Sequence, residues 1–185
     1  MEVSSFQSYL LILFILLVII GIFVFRQFLR TRKEETDLVR FEQKGIDSLE
    51  TAAELYEYGS IQIKKRLYPQ ATKTFIKAVK FAEKEPNEAK AIIENALGFS
   101  YAAQKEFKKA IKHYNSAIDS LPDYTVALNN LGLAQQSLLE FNEALTTYKK
   151  VLIIDPNNKT ALKKTKELEK RNNYQPFSEI NKKGF

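Results

Sequence analysis

The sequence predicts an all-α chain: an N-terminal transmembrane helix, then a solenoid of three helix pairs closed by a C-terminal capping helix. Three observations carry that prediction. Val3 to Phe25 contains no charged residue. A set of residues near position 97 recurs 34 positions later. Between these landmarks the apolar residues fall three or four apart, the period of a helix face, and do not alternate as a strand would.

The anchor comes first. Residues 1–8 read as a short N-terminal segment and 9–29 as the span, since Tyr9 to Phe25 is almost entirely Leu, Ile, Val and Phe around Gly21. About 20 helical residues cross a ~30 Å hydrocarbon core, and side chains of this kind favour insertion. A removable export signal would carry basic residues ahead of the apolar run and small residues behind it. Here the only early side-chain charge is Glu2, and Arg26, Gln27 and Phe28 follow the run. Arg26, Arg30, Arg32 and Lys33 crowd its C-terminal flank, so the positive-inside rule places everything downstream on the cytoplasmic or equivalent side, the matrix or stroma in an organelle.

Residues 30–51 read as a helical linker. Leu38, Phe41 and Ile46 punctuate a charged stretch, and Asp47 followed by Glu50 resembles a capping box. The linker holds the downstream domain close to the bilayer.

The repeats follow. Leu97, Gly98, Phe107, Ala110, Tyr114 and Pro122 return as Leu131, Gly132, Phe141, Ala144, Tyr148 and Pro156, each 34 residues on. Small residues at Gly98 and Ala110 let two helices approach, Tyr114 fills the space beside them, and Pro122 cannot continue a helix. Within the last unit Leu128, Leu131, Gln135 and Leu138 form one stripe and Phe141, Leu145, Tyr148 and Leu152 another, so two antiparallel amphipathic helices are expected. An earlier copy aligns on Gly59, Ala71, Phe75 and Ala78, with Pro69 at the start of its second helix, where the missing N–H costs little. The units are 52–90, 91–124 and 125–158. Ala71 and Ala110 are 39 residues apart, so five extra residues around Pro86 lengthen the next first helix.

These spacings resemble the tetratricopeptide repeat (TPR), whose pattern is leucine and glycine, a later alanine and aromatic, then proline. The chain departs from that pattern at Glu94, where a large apolar residue is usual, and at Gln62 and Gln135, where an aromatic is expected. After Pro156, Asn158 caps a helix over 159–171, with Ala161, Leu162, Thr165 and Leu168 inward and a lysine-rich back outward. Such a polar-backed helix is the end cap that stacked repeats need. Residues 172–185 lack periodicity and read as a disordered tail.

Composition narrows function. An ordinary folding composition, 45% hydrophobic and 27% charged, suits a modest domain plus an anchor. Cysteine is absent, which excludes disulfides, thiolate metal sites and cysteine nucleophiles. The net charge of +6 comes from dispersed lysines, the pattern of solvated helix faces. Nucleic-acid binding is not expected, because the aromatics sit at core positions. No phosphate loop or dinucleotide fingerprint occurs, and His113 reads as a surface histidine without a second ligand or a spaced carboxylate pair. The expectation is a protein that is not an enzyme, has no catalytic or metal residues, needs no cofactor and takes no small-molecule substrate.

Stacks of this kind bind segments of other proteins in the groove lined by their first helices. The helical faces direct Tyr56, Asn95, Phe99, Asn129, Asn130, Leu133 and Gln136 toward it. Carboxamides donate and accept toward a peptide backbone without demanding charge, and Phe99 and Leu133 supply apolar contact. Some members of the repeat family clamp acidic chaperone tails with basic residues on their first helices. The corresponding positions here are Tyr56, Ser60, Ala96, Val126 and Asn130, none of them basic, so no chaperone clamp is expected.

One amino-terminal span, three repeats and a short cap resemble the plastid and cyanobacterial TPR proteins that assist photosystem I assembly, and the heavy use of Lys, Ile, Asn and Phe fits an AT-rich organellar genome. The resemblance implies a thylakoid anchor, a stromal repeat domain and contacts with photosystem I subunits. The alternative is a receptor or organiser in a protein import, secretion or division complex.

Overall fold

The computed structural model describes residues 5–173, and every element among them is helical. The chain divides into two units, meeting between Ile46 and Asp47. The expected tail falls mostly outside the described residues.

The first unit is one continuous helix, α1 (Ser5–Lys44). It is long and apolar enough to cross a membrane by length and composition, and its apolar side chains are exposed, Phe14 at 65% and Phe23 at 70%. No break separates the apolar stretch from the charged stretch after Arg30. Thr31 and Thr36 keep their hydroxyls within the helix by donating to the carbonyls of Gln27 and Arg32, both at 3.0 Å. The helix stops at Gly45, whose φ of +74° is a left-handed conformation that glycine adopts without strain.

A single 3-10 turn, Ile46–Ser48, leads on to the second unit. The first helix there, α2 (Ala52–Lys64), is not capped by Asp47. Its N-cap is Thr51, whose hydroxyl accepts from the Glu54 amide at 3.1 Å and lies 3.2 Å from the Glu54 carboxylate. The capping box is therefore Thr51 with Glu54, because the 3-10 turn carries Asp47 away from the start of α2.

α2 pairs with α3 (Tyr68–Phe81), α4 (Asn87–Ala103) with α5 (Phe107–Ser120), and α6 (Thr125–Ser137) with α7 (Phe141–Ile154); α8 (Lys159–Asn173) packs on α7. A 3-10 turn, Ala82–Lys84, and Pro86 precede α4, which has 17 residues where α2 and α6 have 13. Four of the five additional residues thus become an extra turn of α4, and the fifth lengthens the linker before it.

Each pair closes on the same device. A Cβ added to Gly59, Gly98 or Gly132 would lie 2.7 Å from the ring of Phe75, Tyr114 or Tyr148 respectively, so the second-helix aromatic rests directly on first-helix backbone. One turn from this contact the pairs differ. Thr74 donates to the Gln62 carboxamide at 2.8 Å, and Thr147 donates to that of Gln135 at 2.8 Å. The glutamines that replace the usual aromatic are therefore half of a polar bridge between the helices, and a buried carboxamide is tolerated because it is partnered. In the middle pair the same two places hold Tyr101 and His113.

The helices within each pair are joined by a repeated turn. Arg66, Lys105 and Leu139 all take positive φ, from 59° to 64°. In each case the next amide bonds the carbonyl five residues back, as in Glu140 to Gln135 at 3.0 Å, which is the Schellman closure of a helix C-terminus.

α8 is seated by the Asn158 side chain, which accepts from the Ala161 amide at 3.1 Å. Ala161, Thr165 and Leu168 face inward, but Leu162 is 47% exposed, about 100° around the helix from that stripe. The Arg171 guanidinium covers the Phe141 ring at 3.6 Å, and Lys149 pairs with Glu169 at 2.8 Å.

Candidate protein-binding groove

α2 touches α4, and α4 touches α6, which makes the first helices of the pairs one continuous row. Three of the seven residues expected on that row present apolar surface: Tyr56 is 36%, Phe99 41% and Leu133 40% exposed. Ile92 and Val126 extend the same surface.

The four amide side chains are engaged with the protein. Asn130 donates to Asn95 at 2.9 Å, joining α6 to α4. Asn129 is turned toward the cap, donating to Asn158 at 3.2 Å, while its own carbonyl oxygen is buried without a hydrogen-bond partner. Gln136 accepts from the Tyr148 hydroxyl at 2.9 Å. The structure therefore brings Asn95 and Asn130 together and sends Asn129 and Gln136 to their own repeat and its neighbour.

Tyr124, at the N-cap of α6, was not expected among these residues. Burial raises the pKa of its hydroxyl, Tyr56 adds to that, and a hydrogen bond from Asn95 pulls it back. It is a neutral hydroxyl at pH 7, and it closes a cluster of Tyr56, Asn95, Tyr124 and Asn130. The available signal was an aromatic on the residue before the repeat start, which a turn after Pro122 obscures. The whole of α6, Thr125–Ser137, carries no ionisable side chain, in a chain with 28 Lys and Arg and 22 Asp and Glu. Chemically, the row offers apolar contact and neutral donors and acceptors.

His113 corrects an expectation. It is not a surface histidine: its side chain is 19% exposed, its Nδ1 lies 2.7 Å from the Glu94 carboxylate, and its ring stacks on Tyr101 at 5.4 Å and 12°. Glu94, placed where a large apolar residue is usual, faces α5, and the histidine answers it there. The pair is 19 residues apart in sequence, so no local spacing reveals it.

The tetratricopeptide repeat family model matches residues 125–158. Among solved structures, the first TPR of Spaghetti (RPAP3) bound to an HSP90 peptide is similar with a TM-score of 0.61 at 24% identity, over 66% of this chain and 96% of that one. YrrB, described as a TPR protein with an unusual peptide-binding site, gives 0.58 at 19% identity, over 64% of this chain and 58% of that one. At such identities these likenesses show the fold. Relatives in sequence are the tetratricopeptide repeat domain-containing protein PYG7, chloroplastic, of Arabidopsis thaliana, 33% identical over 86% of this chain, and the protein ycf37 of Cyanophora paradoxa, 31% identical over 88%. The chain spans 53% of the Arabidopsis protein and 94% of the Cyanophora protein. With a repeat pattern, a helix-pair architecture and near full-length similarity in agreement, the chain belongs to the ycf37/PYG7 family of tetratricopeptide-repeat proteins.

Proposed function

We propose that this protein is a non-catalytic, membrane-anchored scaffold that assists photosystem I assembly or stability at the thylakoid membrane, with its repeats facing the stroma, or the cytoplasm in a cyanobacterium. The observation that carries the reading is the row of α2, α4 and α6, where exposed Tyr56, Phe99 and Leu133 stand beside the Asn95–Asn130 pair and α6 has no ionisable side chain. Such a surface suits an apolar segment of a partner, as an unassembled membrane-protein subunit offers, better than an acidic tail. The HSP90 peptide bound by Spaghetti is acidic in sequence, whereas the positions where a clamp would need cations hold Tyr56, Ser60, Ala96, Val126 and Asn130.

α1 supplies the anchor, and its basic flank supplies the orientation. Confinement to the membrane raises the effective concentration of the groove near newly inserted subunits, so modest affinity suffices. The chloroplastic relative supports the compartment. No cofactor enters this mechanism.

The test replaces the chromosomal gene with a version carrying Phe99→Asp and Leu133→Asp. Photosystem I content should fall as far as it does on deletion, while the variant stays in the membrane after alkaline carbonate washing. Normal photosystem I content in the deletion strain under every light and temperature regime would remove the proposal.

A further inference from the structure

The five-residue insertion does more than lengthen α4. Beside it, between the start of α2 and the added turn of α4, lies a hollow of about 220 Å³ lined by Ala53, Tyr56, Glu85, Ala89, Ile92 and Ile93. Ala89 lies in the added first turn of α4, and Glu85 closes the 3-10 turn before it. Tyr56 is shared with the groove, and its ring is held by Phe75 at 6.1 Å between centroids. The hollow is thus the groove's own end compartment.

We infer that this hollow is the specificity pocket of the groove and takes one large apolar side chain of a bound segment, with a basic residue next to it. The inference rests on the groove reading above. Size argues for a side chain, because small-molecule sites usually run to about 300–1,000 Å³. Lining argues for an apolar one: alanine, isoleucine and one aromatic face leave little to satisfy a polar group. Charge argues for the basic neighbour, since Glu85 is the one charged residue among the described residues that line it. An acidic segment would meet that carboxylate with repulsion, which separates such ligands from apolar or basic ones by a penalty and not by a contact.

The probes are fluorescein-labelled twelve-residue peptides of Gly and Ser with a central pair Leu-Arg, Ala-Arg or Leu-Glu, titrated by anisotropy against the full chain in mild detergent. Leu-Arg should bind at least tenfold tighter than Ala-Arg and severalfold tighter than Leu-Glu. Ala89→Trp fills the hollow and should erase the Leu over Ala preference, while Glu85→Gln should erase the Arg over Glu preference. Ile92→Ser repeats the first test with less bulk, and unchanged helix content by circular dichroism shows that each variant is folded. If Leu133→Asp weakens all peptides while Ala89→Trp leaves their ratios unchanged, the pocket inference is wrong and the groove stands. If none of the three peptides binds the wild-type chain, both fall.

Discussion

The first and second junctions between helix pairs use the same three places with opposite chemistry. Where α3 meets α4, Gln104 donates to Thr72 at 2.8 Å, Thr72 donates to Ser100 at 3.0 Å, and Ser100 donates to the Leu97 carbonyl at 2.8 Å. Where α5 meets α6, the corresponding residues are Ile111, Ala134 and Leu138, and Ile111 and Ala134 join an apolar cluster with Ala110, Tyr114 and Leu131. A stack of this kind is thus indifferent to how a seam is sealed, provided that no buried polar atom is left alone. The two seals differ in what they resist. A directional chain of hydroxyls fixes register, whereas an apolar seam is held by area and tolerates sliding.

Breaking the apolar seam should cost the most. Leu131→Ala removes a side chain that is 7% exposed from the cluster and should lower stability by about 2–5 kcal/mol in urea unfolding of the detergent-solubilised chain. Breaking the polar seam should cost less: Thr72→Val keeps the shape but takes one acceptor from Gln104 and one donor from Ser100, for about 1–3 kcal/mol. Converting the whole polar seam with Thr72→Ile, Ser100→Ala and Gln104→Leu should return stability to within about 1 kcal/mol of wild type, because no donor or acceptor then remains unpaired. A triple variant less stable than Thr72→Val would show that the two seams are not interchangeable.

The seams also show which parts of the fold were legible. Leu97, Gly98, Ala110 and Tyr114 report contacts within a pair; their 34-residue return sets the helix pairs, and the 39 residues from Ala71 to Ala110 set the long α4. What joins one pair to another is written over longer distances. The Thr72–Ser100 link spans 28 residues, Asn129–Asn158 29 and Asn95–Asn130 35. Helical period cannot say that Asn129 turns to the cap while its neighbour Asn130 reaches Asn95. The same limit hid the Glu94–His113 pair, which was read as a departure from pattern at Glu94 and, separately, a surface histidine. The first-helix cap was misplaced for a local reason: Asp47 and Thr51 both precede acidic residues by three, and only the 3-10 turn that takes up Asp47 decides which one starts the helix.

The aromatic plug separates the pairs by pH. Tyr114 is buried, and burial pushes its hydroxyl above the ordinary value of 10.0, while Phe75, in the same place in the first pair, has no proton to lose. The folded state holds this proton more tightly than the unfolded state does. The Tyr114 contribution is therefore intact below pH 10 and declines as pH rises above it, by up to about 1.4 kcal/mol per pH unit. In urea titrations between pH 9 and 11.5, Tyr114→Phe should flatten the alkaline loss of stability, and an unchanged slope would mean that the hydroxyl ionises in place.

The smallest effect lies in the turns, which all three pairs share. Arg66, Lys105 and Leu139 hold left-handed backbone without being glycine, and Leu139 is also 72% exposed. A side chain in that conformation costs about 1–2 kcal/mol, and glycine gives back roughly half of the relief through its freedom in the unfolded chain. Leu139→Gly should therefore stabilise by about 0.5–1 kcal/mol, with the Schellman bonds of the turn unchanged. Lys105→Gly should gain a similar amount, since backbone conformation is the common cause. If only the Leu139 change gains, the strain lies in exposing leucine to water, and the turns are not equivalent after all.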